Sequence, residues 1–190
     1  DPFAVLDELR ARLPQSSGNT GPQQPVPWVV FSLSYEAGAL AHPLPTPTRD
    51  PMGLPLLWAG VYSVVIVGTA GASDGLVCGW DRGAVDGFVE RLEETLAPEP
   101  GEFSLRSDPV SDSSEETYRG WIQRTLDYIR EGDIYQANIT RRLEANVVDG
   151  SDPLALYLQL RNRSEAPYAA FMDLGDVQFL SASPECLMEW

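Results

Sequence analysis

The spacing of hydrophobic residues along the chain predicts four helices. Phe3, Leu6, Leu9 and Leu13 keep helical spacing after Asp1, which can cap the helix, and Pro2, which suits its first position. Residues 82–97 and residues 151–161 show the same periodicity, the latter after a Ser151 or Asp152 cap. The remaining helix begins at a Ser113–Glu116 capping box, ends at Gly132 and carries an apolar stripe that we expect to be buried: Tyr118, Ile122, Thr125, Leu126 and Ile129.

Runs of β-branched and aromatic residues predict the strands. Residues 26–35 form one run, and residues 57–68 form a second that can pair with residues 76–80 as a hairpin. Residues 167–174 and 177–183 flank Gly175-Asp176, a plausible two-residue hairpin turn. The proline-rich residues 42–55 suit neither helix nor central strand, and we expect an extended crossing there.

This mixture of helices and hairpins predicts an α+β fold with largely antiparallel sheets packed with outer helices. The composition of residues 98–114, "PEPGEFSLRSDPVSDSS", is typical of a linker. We therefore expect an N-terminal region over residues 1–97 and a second domain that begins at residue 115 and continues to residue 190. The chain ends at Trp190 inside an apolar run, and we expect it to be a fragment of a longer protein.

A row of uncharged polar residues interrupts the run "GDIYQANIT", residues 132–140. Ile134, Tyr135 and Ile139 suit a buried strand, so we predict a strand here, and side chains alternate between the two faces of a strand. One face then carries Gln136, Asn138 and Thr140, and the other carries Tyr135 and Ile139. Buried polar groups need hydrogen-bond partners, so the polar row either faces water or lines a ligand cavity.

Charge and residue content exclude several classes of function. The formal net charge is −15 and the chain has no Lys, so binding to nucleic acid is not expected. No apolar run reaches the ~20 residues needed to cross a bilayer. Cys78 and Cys186 lack metal-ligand spacing and fit small core residues in a reducing cytoplasm. The single histidine, His42, leaves no basis for Ser-His-Asp or Cys-His catalysis.

Two further motifs could carry chemistry. Glu185 follows a strand in "SASPE", where a carboxyl group is either exposed in a turn or aimed into a cleft as a proton donor. Pro167 and Tyr168 precede a strand in "EAPYAAFM", where ordinary packing explains them equally well.

The order of these motifs is more specific than any one of them. "GDIYQANITRR", "APYAAFM" and "SASPE" together resemble the chorismate-utilising enzymes, and most closely component I of the aminodeoxychorismate synthases. Upstream, "SLSYEAG", "PLPTPTRDPMGLP" and "LWAGVY" resemble the N-terminal region of the same component. The resemblance implies a fold like that of anthranilate synthase component I, incomplete here at both ends.

The resemblance also assigns roles to residues. Glu185 matches the family's general acid, which protonates the departing ring hydroxyl group. Gln136 stands where members that add water carry a basic Lys, and a neutral amide favours ammonia as the nucleophile. Asn138 and Thr140 differ from the "QVVLS" strand of anthranilate synthases. The polar row, Gln136, Asn138 and Thr140, is therefore expected to line the substrate pocket.

The expected activity of the parent protein is conversion of chorismate and ammonia to 4-amino-4-deoxychorismate, a transferase reaction in para-aminobenzoate and folate biosynthesis. Ammonia would come from a glutamine amidotransferase subunit. Two alternatives stay open: anthranilate synthase component I, in tryptophan biosynthesis, and a non-catalytic module that binds tryptophan.

Other features of the family bear only partly on this chain. Pro167, Tyr168 and Ala169 match a segment that contacts tryptophan, but Arg163-Ser164-Glu165 departs from the family's Asn-Pro pattern. Binding of L-tryptophan therefore stays open. The family's lysine nucleophile and the glutamates that hold Mg²⁺ would follow Trp190, so no metal ligand is expected in these residues.

Overall fold

The computed structural model describes residues 1–13, 29–40, 42, 53–69, 74–94 and 99–187. The chain divides into two units, Asp1–Ala97 and Pro98–Trp190. Every strand pair in the described residues is antiparallel, and helices accompany the sheets, so the predicted mixture of helices and antiparallel strands is confirmed. The proline-rich crossing, residues 42–55, falls largely outside the described residues.

The first unit begins with the helix that its sequence predicts. Helix α1 spans Pro2–Arg12, and Asp1 Oδ1 accepts a hydrogen bond from the Phe3 amide at 2.9 Å. Strand β1, Val29–Leu33, precedes a 3₁₀ helix over Tyr35–Leu40, in which Ala37 is buried. Strands β2 (Leu57–Val61), β3 (Val64–Gly68) and β4 (Gly75–Gly79) lead to helix α2, Arg82–Glu94.

The predicted single strand over residues 57–68 is wrong, because it is two strands with different partners. β2 pairs with β1, with Phe31 opposite Ala59, whereas β3 pairs with β4, with Ile66 opposite Val77. The interruption at Tyr62-Ser63 allows the two halves to join separate two-stranded sheets. The predicted hairpin with residues 76–80 is confirmed for the second half alone.

Helix α2 packs on the β3–β4 hairpin through its apolar face. Val85, Phe88 and Val89 on this face are half-buried. Gly79 permits this packing, since an added Cβ there would overlap Val85 Cγ2. The sequence periodicity therefore identified the packed face over residues 85–89, whereas Leu92 on the same predicted face is 44% exposed. Residues 95–97 of the predicted helix lie outside the described residues.

The second unit contains the longest helix, α3, which spans Glu115–Glu131. Its cap is Ser114, whose Oγ accepts from the Thr117 amide at 3.1 Å, so the predicted Ser113 cap is wrong. Ser113 belongs instead to the preceding turn, where its amide donates to Ser111 Oγ. The predicted stop at Gly132 is confirmed by its left-handed φ of 84°.

The apolar stripe of α3 is more exposed than predicted. Tyr118 and Thr125 are half-buried, whereas Ile122, Leu126 and Ile129 are each more than a third exposed. Helical spacing places these side chains on one face but cannot supply the element that covers it. In the described part of the unit, α4 packs on a strand hairpin instead of on α3.

The predicted linker, residues 98–114, lies in the second unit, and its described part is hydrogen-bonded there. Strand β5, Val110–Ser111, pairs with strand β6, Leu143–Glu144, and Leu105 bridges to Val147. Asp152 adds a side-chain link, because its Oδ2 accepts from the Gly101 amide at 2.9 Å. The domain boundaries drawn from the sequence stay predictions.

A helix on a hairpin completes the second unit. Helix α4 spans Pro153–Arg163 and is capped by Asp152, one of the two predicted caps. Strands β7 (Tyr168–Asp173) and β8 (Gln178–Ser183) form the predicted hairpin around Gly175-Asp176. α4 packs on it through Tyr157, whose ring centroid lies 5.7 Å from that of Phe171, and Ala155 of the helix is buried.

Candidate active site

The polar row lies on a segment without helix or strand, residues 134–142, that follows α3. Gln136, Asn138 and Thr140 are all exposed, and Tyr135, on the face predicted to be buried, is 92% exposed. The predicted strand is therefore wrong for the described chain. Alternation alone does not make a strand, because the backbone also needs a neighbour to which it can hydrogen-bond.

Tyr118 holds this segment on α3. Its hydroxyl group donates a 3.0 Å hydrogen bond to the Ile139 carbonyl oxygen, which lies between Asn138 and Thr140 in the chain. The Arg141 guanidinium lies 5.7 Å from the centroid of the same ring. Sequence analysis placed Tyr118 in a buried stripe and missed this role, although a polar tip on a half-buried aromatic ring commonly finds a partner.

Glu185 lies in the turn that follows β8, and its side chain is exposed. Ser183 Oγ donates a 3.0 Å hydrogen bond to the Glu185 backbone carbonyl oxygen. This bond folds the Ser-Pro-Glu motif back on itself at the end of the hairpin. Because Pro184 cannot donate a backbone hydrogen bond, the strand pairing ends there.

The Pro167-Tyr168-Ala169 segment lies at the same end of the hairpin. Tyr168 is opposite Ser183, and Ala169 is opposite Ala182. Tyr168 is 47% exposed, Pro167 is exposed and Ala169 is half-buried. The hairpin therefore brings two of the three predicted motifs together, whereas α3 positions the third, the polar row.

The described residues include Asp, Glu, His and Cys side chains, the types that could hold a metal ion. Within the described ranges, no group of three or more His, Cys, Asp or Glu side chains is placed to hold a metal ion, so these residues offer no donor set for Mg²⁺. Cys78 and Cys186 are half-buried cysteines. No helix among the described residues is long and apolar enough to cross a membrane.

Comparison with known proteins identifies relatives over nearly the whole chain. The family model described as chorismate binding enzyme matches residues 3–190. Anthranilate synthase component 1 of Neisseria meningitidis serogroup B is 30% identical over 170 residues, which cover 83% of this chain and 34% of that protein. Aminodeoxychorismate synthase component 1 of Escherichia coli K12 is 28% identical over 188 residues, covering 97% of this chain and 40% of that protein.

Another relative has a higher sequence identity over a shorter stretch of this chain. Anthranilate synthase component 1 of Thermus thermophilus is 41% identical over 99 residues, which cover 52% of this chain and 21% of that protein. The chain thus spans between about a fifth and two fifths of the length of these relatives.

Proposed function

The chain belongs to the chorismate-binding enzyme family, and from that premise we propose that it is part of an aminodeoxychorismate synthase component I. The reaction replaces the C4 hydroxyl group of chorismate with an amino group, giving 4-amino-4-deoxychorismate and water. The relative from Escherichia coli, which carries that name, aligns with 97% of the chain.

The observation that carries this proposal is the chemistry of the polar row. Gln136, Asn138 and Thr140 are uncharged and exposed, so they can hydrogen-bond to a ligand. None of these three side chains is a base that could deprotonate water at neutral pH. They suit a neutral nucleophile such as ammonia, which needs orientation but no base to create its lone pair.

Glu185 supplies the complementary chemistry. Hydroxide is a poor leaving group, so loss of the ring hydroxyl group requires a proton from an acid. In the proposed mechanism the Glu185 carboxyl group donates this proton, and the hydroxyl group leaves as water. The exposed position of the side chain after β8 is compatible with contact to a substrate.

The remaining features of the proposed enzyme belong to a longer protein. Ammonia comes from a glutamine amidotransferase subunit or from solution, and the reaction serves folate biosynthesis in the cytoplasm. Mg²⁺ supplies charge neutralisation for the substrate's carboxylates when bound, with ligands outside the described residues. The fold is that of anthranilate synthase component I.

A second candidate is anthranilate synthase component I, which aminates C2 of chorismate and eliminates pyruvate. The 41% identity to the Thermus thermophilus protein of that name favours it over the matched 99 residues. Asn138 and Thr140 favour the first candidate, because at these two positions the segment differs from the anthranilate synthase pattern that it otherwise resembles.

Product analysis separates the two candidates. The protein of relatives' length that contains this chain is incubated with chorismate, an ammonium salt and Mg²⁺, and the products are separated by chromatography and weighed by mass spectrometry. The proposal expects an aminated product that retains the enolpyruvyl group. Stoichiometric release of pyruvate with a fluorescent aromatic product would instead establish the second candidate, and absence of turnover would refute both.

A further inference from the structure

The segment after α3 returns to the helix that precedes it. Gly132 ends α3 in a left-handed turn, and Ile139, seven residues later, meets Tyr118 near the start of the helix. From Tyr118 to Gly132 the helix rises by about 21 Å, at 1.5 Å per residue. The segment therefore runs back toward the N-terminal end of α3.

The hydrogen bond from Tyr118 closes this return path. The Tyr118 hydroxyl group reaches the Ile139 carbonyl oxygen at 3.0 Å, 21 residues away in sequence. In the part of the chain that the structure describes, the amide groups of residues 134–141 donate no backbone hydrogen bond. The bond from Tyr118 is thus an anchor for a segment that strand pairing does not hold.

This anchor also orients the neighbouring peptide group. A trans peptide is planar, and its C=O and N–H bonds point in opposite directions. The structure contains no cis peptide bond in its described residues. Since the Ile139 carbonyl group points to Tyr118, the Thr140 N–H group points away from it. Arg141, beside the Tyr118 ring, limits twisting of the chain just beyond this peptide group.

We propose that Tyr118 is a positioning residue that fixes the register of the polar row for the substrate. It touches neither substrate nor reacting atoms; it acts through the Ile139–Thr140 peptide group. The inference rests on the proposed function for the role of Gln136, Asn138 and Thr140. Because the described amide groups of residues 134–141 donate no backbone hydrogen bond, loss of the anchor leaves the three side chains without this fixed point between Gly132 and β6.

The experiment compares two tyrosines of the same helix in the protein of relatives' length. Tyr118→Phe removes the hydroxyl group that reaches Ile139 and keeps the ring that Arg141 contacts. Tyr128→Phe is the matched control, since the Tyr128 hydroxyl group accepts from Arg124 of α3 itself. Tyr118→Phe is expected to raise KM for chorismate and to lower kcat/KM by about tenfold to a hundredfold, as misplacement of a binding group does. Tyr128→Phe should leave both constants within about twofold of the wild type.

The kinetic constants kcat and KM separate a positioning role of Tyr118 from a general loss of protein stability. Loss of folded enzyme lowers the apparent kcat and leaves KM unchanged, whereas a displaced pocket segment raises KM. An unchanged KM in Tyr118→Phe would overturn the positioning role, and so would equal effects of the two substitutions.

A second readout does not depend on activity. Trypsin cleaves after arginine, and Arg141 and Arg142 lie at the end of the segment. With cleavage after Arg163 as the internal reference, Tyr118→Phe should speed cleavage after Arg141 and Arg142 at least about threefold, because local opening exposes the chain to protease. Tyr128→Phe should not change it. If the wild type does not act on chorismate, the proposed function fails, but the cleavage comparison still tests whether Tyr118 holds the segment. Equal cleavage rates in Tyr118→Phe and the wild type would refute the anchor.

Discussion

Tyr168 of β7 lies directly opposite Ser183 of β8, so the Pro-Tyr-Ala and Ser-Pro-Glu motifs share one end of a single hairpin. The pairing is continuous from this end to Asp173 opposite Gln178, next to the turn. Helix α4 packs on one face of this hairpin, where the Tyr157 ring contacts the Phe171 ring. A continuously paired hairpin therefore presents Glu185, and Ser183 ties the turn that carries it.

Glu185→Gln tests the assignment of the general acid in the protein of relatives' length. The substitution keeps the side-chain volume and removes the transferable proton. General acid catalysis contributes about 10²–10⁴-fold, so kcat should fall within that range at saturating ammonia while KM for chorismate changes little. Glu90→Gln, an exposed glutamate of α2, is the control for loss of one charge. Retention of more than about a third of the wild-type kcat would show that Glu185 is not the acid.

Gln136→Ala tests whether the polar row contacts the substrate. Loss of one hydrogen bond to a charged ligand costs about 1.5–3 kcal/mol, equivalent to a tenfold to hundredfold rise in KM for chorismate. Gln123→Ala is the matched control, because Gln123 is exposed on α3 and hydrogen-bonds to Asp127 of the same helix. Steady-state kinetics with varied chorismate measures both. Equal KM values for the two variants would remove Gln136 from the pocket.

Asp152→Ala should destabilise the second unit more than an ordinary surface substitution does. Asp152 Oδ1 caps α4 at the Leu154 amide, and Oδ2 accepts from the Gly101 amide. Loss of a cap costs about 0.5–2 kcal/mol and loss of the second bond about 1 kcal/mol, which gives about 1.5–3 kcal/mol in the free energy of unfolding.

Asp149→Ala is the control for this change. Asp149 is 95% exposed and pairs with Arg106 at 3.0 Å, an ion pair worth less than about 1 kcal/mol. Urea unfolding followed by circular dichroism compares the midpoints. A midpoint for Asp152→Ala no lower than that for Asp149→Ala would contradict the linking role of Asp152.

Residues 1–190 by themselves should not turn over chorismate, since the chain matches at most about two fifths of the length of the relatives compared. The purified chain is assayed with chorismate, ammonia and Mg²⁺ beside the longer protein. Because Ile122, Leu126 and Ile129 are exposed on α3, we also expect self-association, measured by sedimentation. Catalytic turnover by residues 1–190 would contradict the expected inactivity. A monomer at all concentrations would contradict the expected self-association.

Local sequence determined the features that depend on neighbouring residues. Asp1 and Asp152 cap helices and Gly132 ends one, because each interaction lies within a few positions of the residue concerned. The β7–β8 hairpin follows from the alternation of its strands and the turn at Gly175, whose φ is 93°. The motifs at its open end were named from the sequence, and their proximity follows from the register of the hairpin.

Only the tertiary structure decided which distant segments meet. It divided residues 57–68 between two sheets, paired Leu105 with Val147, and left the apolar stripe of α3 open. It also placed Ile139 on Tyr118, a contact that no periodicity indicates. Spacing along the chain states which face of an element a side chain occupies, but burial and pairing depend on what lies across from that face. For that physical reason the polar row could be named from the sequence, whereas the residue that holds it in place could not.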